Sequence, residues 1–296
     1  MKNQIYPCLW FDGQAKAAAE FYCSVFPHSK ITIETPMVVV WELSGKKIMG
    51  LNGGPVFKIN PSISLFVNCE SVKATNEVWE KLIEGGMALM PIDKYPWSER
   101  YGWLQDKFGM TWQLSAPIKD EPKFTFSPSM LFTGKGFGRA EEAINFYCSV
   151  FGNSGKDILI NYGKEDANAG KVMFSEFKLN GYNMIAMDGP GAHDYTFNEG
   201  VSFVITCENQ QEIDYYWDIL TSGGGEESMC GWCRDKFGVS WQVIPSILGE
   251  LMSDPNKGPG VVQAFLKMKK FDIEKLITKI VKFRMKENIQ RAKRKK

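Results

Sequence analysis

The chain reads as an α+β protein built by tandem duplication, with a β-α-β-β-β unit occurring four times. Three observations carry this. Phe21-Tyr-Cys-Ser-Val-Phe26 recurs unchanged as Phe146-Tyr-Cys-Ser-Val-Phe151. Ile63-Ser-Leu-Phe-Val-Asn-Cys-Glu70 is answered by Val201-Ser-Phe-Val-Ile-Thr-Cys-Glu208. Gly102-Trp-Leu-Gln-Asp-Lys-Phe-Gly-Met-Thr-Trp-Gln113 is answered by Gly231-Trp-Cys-Arg-Asp-Lys-Phe-Gly-Val-Ser-Trp-Gln242. Blocks repeated in fixed order mark an internal repeat, which takes precedence over any single motif. The 296 residues are about twice the usual ~150 of one domain. The expected division is 1–117 and 127–250, with a linker over 118–126 around Asp120, Glu121 and Pro122, and a basic helical tail over 251–296.

The elements follow in order. Tyr6 to Phe11 alternates, with Leu9 and Phe11 on one side and Tyr6, Cys8 and Trp10 on the other, which is a strand. Ala15 to Phe26 is alanine-rich with helical apolar spacing. Short strands are predicted over 31–34, 38–43 and 47–51, separated by turn residues. The plan then restarts: a strand over 62–69, a helix from about Val72 to Gly85, and strands near 88–91, 101–106 and 110–115. The second half repeats this from Ser127 to Ile244, with extra residues at 135–138.

Composition excludes several classes. Hydrophobic residues at 44% and charged residues at 23% describe a globular chain, not a disordered one. No apolar run approaches the ~20 residues of a membrane span, and no secretory signal opens the chain, so a cytoplasmic protein is expected. The net charge of +1 hides an asymmetry. Residues 265–296 hold 13 Lys+Arg against 3 Asp+Glu, a net of +10, which leaves −9 on the rest. An acidic body with a basic tail differs from a uniformly basic nucleic-acid binder, and no nucleic-acid partner is expected. The tail is expected to pack as a helix on the body or a second chain through Ile273, Leu276, Ile277, Ile280, Val281 and Met285, contact with nucleic acid or an anionic membrane surface being the alternative. Seven cysteines and only two histidines, His28 and His193, leave little for imidazole chemistry.

With these motifs in hand, Leu9-Trp-Phe-Asp-Gly13, the Phe-Tyr-x-x-Val-Phe helix and Gly-Trp-x-x-Asp-x-Phe-Gly-x-x-Trp-Gln resemble the vicinal oxygen chelate (glyoxalase/bleomycin-resistance/dioxygenase) superfamily. The closer resemblance is to its PhnB-like branch, labelled a 3-demethylubiquinone-9 3-methyltransferase domain. The resemblance implies two domains, each of two modules, with a curved mixed sheet, helices on its convex side and a ligand on its concave side. It also implies a pseudo-dimer inside one chain; association of two whole chains stays open. Enzymes of the superfamily hold a divalent metal through His or Glu. The matching positions here are Tyr6, residues 50–52, Ser62 and Gln113, then Ser127, Asp188, Gly200 and Gln242. None is His or Glu, and neutral amides are poor ligands without charged companions. No cofactor is therefore expected, a divalent metal being the alternative.

The pocket candidates are Tyr6, Trp10, Trp41, Trp103, Gln113, Asp188, Trp232 and Gln242. In Thr111-Trp-Gln-Leu-Ser115 alternation sets Gln113 opposite Trp112 and Leu114, and an amide there donates and accepts toward an uncharged polar ligand. Aromatic walls with a few polar groups suit a flat small molecule. Other motifs read as structural. Cys230-Gly-Trp-Cys233 falls on a strand, where residues three apart diverge, not at the helix N-terminus a redox pair needs. Gly134-Lys-Gly-Phe-Gly138 lacks the context of a phosphate loop. Catalytic residues stay unassigned. The expected function is small-molecule binding in metal-free pockets. The alternatives are a metal-dependent lyase, isomerase or dioxygenase, and the methyltransferase of the label.

Overall fold

A computed structural model describes residues 4–117, 124–253 and 258–278. Four β-α-β-β-β modules follow one another. The first is β1 (Ile5–Phe11), α1 (Ala15–Val25), β2 (Ser29–Glu34), β3 (Val38–Leu43) and β4 (Lys46–Asn52). The second is β5 (Ile63–Asn68), α2 (Val72–Ile83), β6 (Met87–Tyr95), β7 (Ser98–Gln105) and β8 (Thr111–Ser115). The third is β9 (Thr125–Phe132), α3 (Ala140–Val150), β10 (Gly155–Asn161), β11 (Val172–Leu179) and β12 (Tyr182–Asp188). The fourth is β13 (Val201–Cys207), α4 (Gln210–Thr221), β14 (Glu226–Glu227), β15 (Trp232–Arg234) and β16 (Ser240–Pro245). Helices α5 (Leu248–Ser253) and α6 (Gly258–Phe265) come after it. No described helix is long and apolar enough to cross a membrane.

Two compact units emerge. One is Tyr6–Ser202; the other runs from Phe203 onward and includes Gln4 and Ile5. In the first unit a mixed sheet of eight strands has the order β10-β11-β12-β9-β5-β8-β7-β6. Its two halves are the third and second modules, joined by the antiparallel pair β5–β9, in which Ser64 faces Ser129 and Phe66 faces Ser127. The sheet thus unites modules from both sides of the linker. Strands β1, β4, β3 and β2 form a further run of four in the same unit, and β14, β15, β16 and β13 a run of four in the other.

One face of the eight-stranded sheet is sealed by side chains that alternation assigns to it. Leu65, Val67, Leu104, Trp112 and Leu114 are essentially fully buried. Trp112 meets Tyr22 of α1 with ring centroids 5.0 Å apart, and Phe26 at 5.3 Å. The repeated Asp-x-Phe-Gly-x-x-Trp explains itself here. Asp106 Oδ1 accepts from the backbone N–H of Phe108 (2.8 Å) and Met110 (3.1 Å), while Oδ2 accepts from Trp112 Nε1 at 2.8 Å. Asp235 does the same for Phe237, Val239 and Trp241 at 2.8, 3.1 and 2.8 Å. The aspartate closes the turn and holds the indole.

Helix starts are secured in two ways. Ser71 and Asn209 cap α2 and α4 locally, accepting from Ala74 and Glu212 N–H. Helices α1 and α3 have no cap of their own. Their first N–H groups are met from the end of a strand: Ala15 N donates to Asn52 Oδ1, and Ala140 N to Asp188 Oδ1.

Part of the tail lies among the described residues. Phe271 and Leu276 are buried, whereas Ile277 is exposed. Backbone N–H groups of Cys230 and Gly231 donate to Met268 and Lys269 carbonyls, and Gln210 holds Phe271 O and Ile273 N. Ile280, Val281 and Met285, like linker residues 118–123, lie outside the described residues.

Candidate ligand-binding site

The face of the eight-stranded sheet opposite Trp112 and Leu114 centres on Gln113 in β8. Its Nε2 donates to Ser64 Oγ at 2.7 Å and to Ser129 Oγ at 3.3 Å, and its Oε1 accepts from Tyr101 OH at 2.8 Å. Strands β5, β7, β8 and β9 therefore all contribute to one neutral polar centre. Gln113 is 3% exposed, so this network is cut off from bulk water and its amide orientation is fixed. Both serine hydroxyls keep a hydrogen to donate, and Gln113 Oε1 keeps one lone pair.

Around this centre lies an apolar wall. Phe66, Tyr101 and Ile185 form a buried cluster, against which Met90, Tyr95, Trp103, Phe174 and Met187 pack while staying partly accessible. Strands β5 and β11 are three places apart, roughly 14 Å at the usual strand spacing. Yet the rings of Phe66 and Phe174 are centred 6.0 Å apart, which requires the sheet to curl toward this side. The face is concave. Tyr95 and Trp97, stacked at 5.0 Å at the tip of the β6–β7 hairpin, both meet Tyr101 at 5.7 Å edge-on. Trp103, directly opposite Gln113 across β7–β8, has a buried Nε1 with no hydrogen-bond partner among the described residues.

The other sequence-predicted residues distribute differently. Tyr6 and Trp10 share one side of β1, outside the Gln113 sheet. The Lys47 ammonium stands 4.1 Å from the Tyr6 ring centre, and burial pushes the Tyr6 phenol up. Trp10 Nε1 donates to Gly54 O at 2.7 Å, and a Cβ on Gly53 would fall 2.1 Å from its ring. Trp232 and Gln242 face each other across β15–β16 in the second unit, as Trp103 and Gln113 do in the first.

Two expectations are corrected. Trp41 is fully buried against the Tyr22 ring of α1, on the helix-covered side of β3, and not in a pocket. Asp188 is committed to backbone: Oδ1 accepts from Gly138 N (2.7 Å) and Ala140 N (3.2 Å), and Oδ2 from Val172 N (2.9 Å). It fixes the glycine loop and the start of α3. The expected positions Ser62 and Ser127 are also one pleat away from Ser64 and Ser129, which meet Gln113. Tyr101, the third partner, went unread; the signal was its spacing two residues before Trp103 on the same strand face.

Other candidates resolve as structure. Cys230 lies in a turn at φ +60° and Cys233 on β15, and burial raises both thiols. Thiolate chemistry at neutral pH is therefore disfavoured. His193 is bonded to Pro190 O at 3.1 Å beside the Tyr195 ring. An open cleft of about 450 Å³ between residues 58–61 and 194–198 contains none of the predicted site residues. It is lined chiefly by polar groups already engaged, among them Asn60 on Thr196 O and Asn198 on Lys58 O.

No three of His, Cys, Asp and Glu come together among the described residues. The polar groups at the concave centre are an amide and three hydroxyls, all of them neutral. They do not fit a divalent cation, which needs charged or imidazole ligands.

Comparison with known proteins identifies the family and the fold. The sequence model of the 3-demethylubiquinone-9 3-methyltransferase family matches twice, over residues 3–115 and 124–244. The PhnB protein of Bacillus cereus is 32% identical over 38% of this chain and 98% of its own, with a TM-score of 0.36. Glyoxalase I from Zea mays, 11% identical, covers 81% of this chain and 92% of its own with a TM-score of 0.54, a likeness of fold. No curated protein matches the chain.

Proposed function

Because the chain belongs to the 3-demethylubiquinone-9 3-methyltransferase family in both halves, on a glyoxalase-like fold, we propose that it is a cytoplasmic small-molecule-binding protein. Its ligand is flat and largely apolar, carries an uncharged polar group, and is held on the concave face without a metal. The observation that carries this reading is Gln113, fixed by Tyr101, Ser64 and Ser129 in the middle of an aromatic wall. The buried, unsatisfied Trp103 Nε1 supports it, since a lone donor in a dry site is costly until an acceptor arrives. Gln242 and Trp232 make a second site of the same kind a natural extension. There Cys230 stands where the first copy has Tyr101, so the amide lacks that phenol.

The family label's reaction finds less support. Methyl transfer from a nucleotide-like donor calls for an open glycine-rich loop on a parallel sheet. Here Gly138 N is bonded to Asp188, and most strand pairs in the eight-stranded sheet are antiparallel.

Two measurements test the reading. Native mass spectrometry of protein purified without added metal should give the apo mass or an organic adduct; a stoichiometric zinc, nickel, manganese or iron mass overturns the metal-free site. Lumichrome, an uncharged planar tricycle with carbonyl acceptors, should quench tryptophan emission in EDTA and bind about tenfold more weakly to Gln113→Ala. Equal affinity for wild type and Gln113→Ala refutes the assignment.

A further inference from the structure

Glu176 on β11 is a half-buried carboxylate whose side chain makes no hydrogen bond or ion pair among the described residues, on the same face as Gln113. The strand register places it there. Glu176 faces Ile185 across β11–β12, Ile185 faces Ser129 across β12–β9, and Ser129 faces Ser64 across β9–β5. Cross-strand neighbours share a face. Phe174, two residues before Glu176, meets the Phe66 ring, and Ile185 belongs to the same buried cluster as Phe66 and Tyr101. The carboxylate therefore borders the aromatic wall.

Other charges that the register brings to this face are exposed and engaged. Lys178 pairs with Asp157 at 2.8 Å and Glu99 with Lys94 at 2.8 Å, while Asp93 accepts from Lys94 N. Burial and nearby Asp157 make Glu176 hold its proton more tightly than an ordinary glutamate, against the opposing pull of Lys178. The fold does not require an acid at this place. In the first module the equivalent residue is Val40, which faces Met49 as Glu176 faces Ile185. A half-buried carboxylate that bonds to no described residue, and that stands where the other copy has a valine, has its oxygens available to an external partner.

We propose that Glu176 anchors a basic nitrogen, so that this site takes a flat organic cation whose rings lie against Phe66, Tyr101 and Phe174. Aromatic faces attract such a cation in their own right, and the carboxylate adds a charge-assisted hydrogen bond. The assignment rests on the concave-face reading above and adds the charge of the ligand to it.

The test uses two tricycles of similar size, cationic proflavine and neutral lumichrome, titrated into the full chain and into Glu176→Gln, Glu176→Val and Gln113→Ala. Wild type is expected to bind proflavine more tightly than lumichrome. Both Glu176 variants should weaken proflavine about tenfold or more and leave lumichrome unchanged, which also shows that they are folded. Proflavine bound equally by wild type and Glu176→Gln overturns the inference, as does a wild-type preference for lumichrome. If Gln113→Ala affects neither probe, the concave-face reading itself fails, an outcome separate from the failure of Glu176.

Discussion

Replacing Asp106 by alanine removes one buried carboxylate, 3% exposed, and strands three donors: Phe108 N, Met110 N and Trp112 Nε1. A hydrogen bond to a charged acceptor contributes about 1.5–3 kcal/mol, and each stranded buried donor costs about 1–3 kcal/mol. Burial works the other way, because it raises the Asp106 carboxyl above its ordinary range despite the bonds that lower it. The net expected loss is about 3–5 kcal/mol, the range for breaking a buried charged network. Urea unfolding followed by tryptophan fluorescence gives this directly, since Trp112 is the indole released. Asp106→Asn should cost nearly as much, because its amide turns a donor toward a donor. Asp235→Ala is an internal replicate, with the same three bonds at the same lengths, and should agree within about 1 kcal/mol. A loss below about 1 kcal/mol at either aspartate, or wild-type stability in the asparagine variant, would refute the buttress. The pH dependence has a definite sign. A carboxyl raised on folding contributes stability below its unfolded pKa, about 3.9, and that contribution is lost as pH rises through the raised folded value. Asp106→Asn should flatten this part of the stability–pH curve.

Three further outcomes follow from other contacts. Asn52→Ala should cost about 1 kcal/mol of stability and Asp188→Ala more, since the first removes one N–H acceptor at a helix start and the second removes three; equal costs in urea unfolding would count against the capping role. Iodoacetamide at pH 7 should label Cys230 no faster than Cys23 or Cys148, because burial raises all three thiols; preferential labelling of Cys230 by peptide mass mapping would revive the redox reading. Phe271→Ala should destabilise by about 3–5 kcal/mol, as expected for a fully buried phenylalanine; a thermal melt unchanged by the substitution would show that the 268–276 segment does not pack on β15 and α4.

The modules were legible because amphipathic helices and alternating strands repeat in the sequence four times over. The function of individual residues was legible only where both neighbours declared a side. Gln113 could be placed because Trp112 and Leu114 point to the helices, leaving one face for the amide. Trp41 could not: β3 is buried on both faces, so alternation around it is mute, and residue type alone suggested a pocket. Asp188 misled for another reason. Its three backbone partners come from two segments, 138–140 and 172, and no local spacing announces such a cap. The β6–β7 hairpin extends from Met87 to Gln105, longer than the strands near 88–91 and 101–106 that were expected. Its outer part, including Trp97, is exposed and carries little apolar period.

The antiparallel seam between β5 and β9 gives the polypeptide connection a surprising status. Six residues of β5 pair with β9 across the division between the two family matches. A chain severed within 118–123 would leave β5 in one fragment and β9 in the other, each with a bare edge of main-chain donors and acceptors next to an apolar face. Such edges seek a partner strand. Expressed apart, each fragment is therefore expected to self-associate through this edge, and mixed, the two should pair along the seam. Covalent continuity here sets the effective concentration of the halves; the recognition lies in the strand.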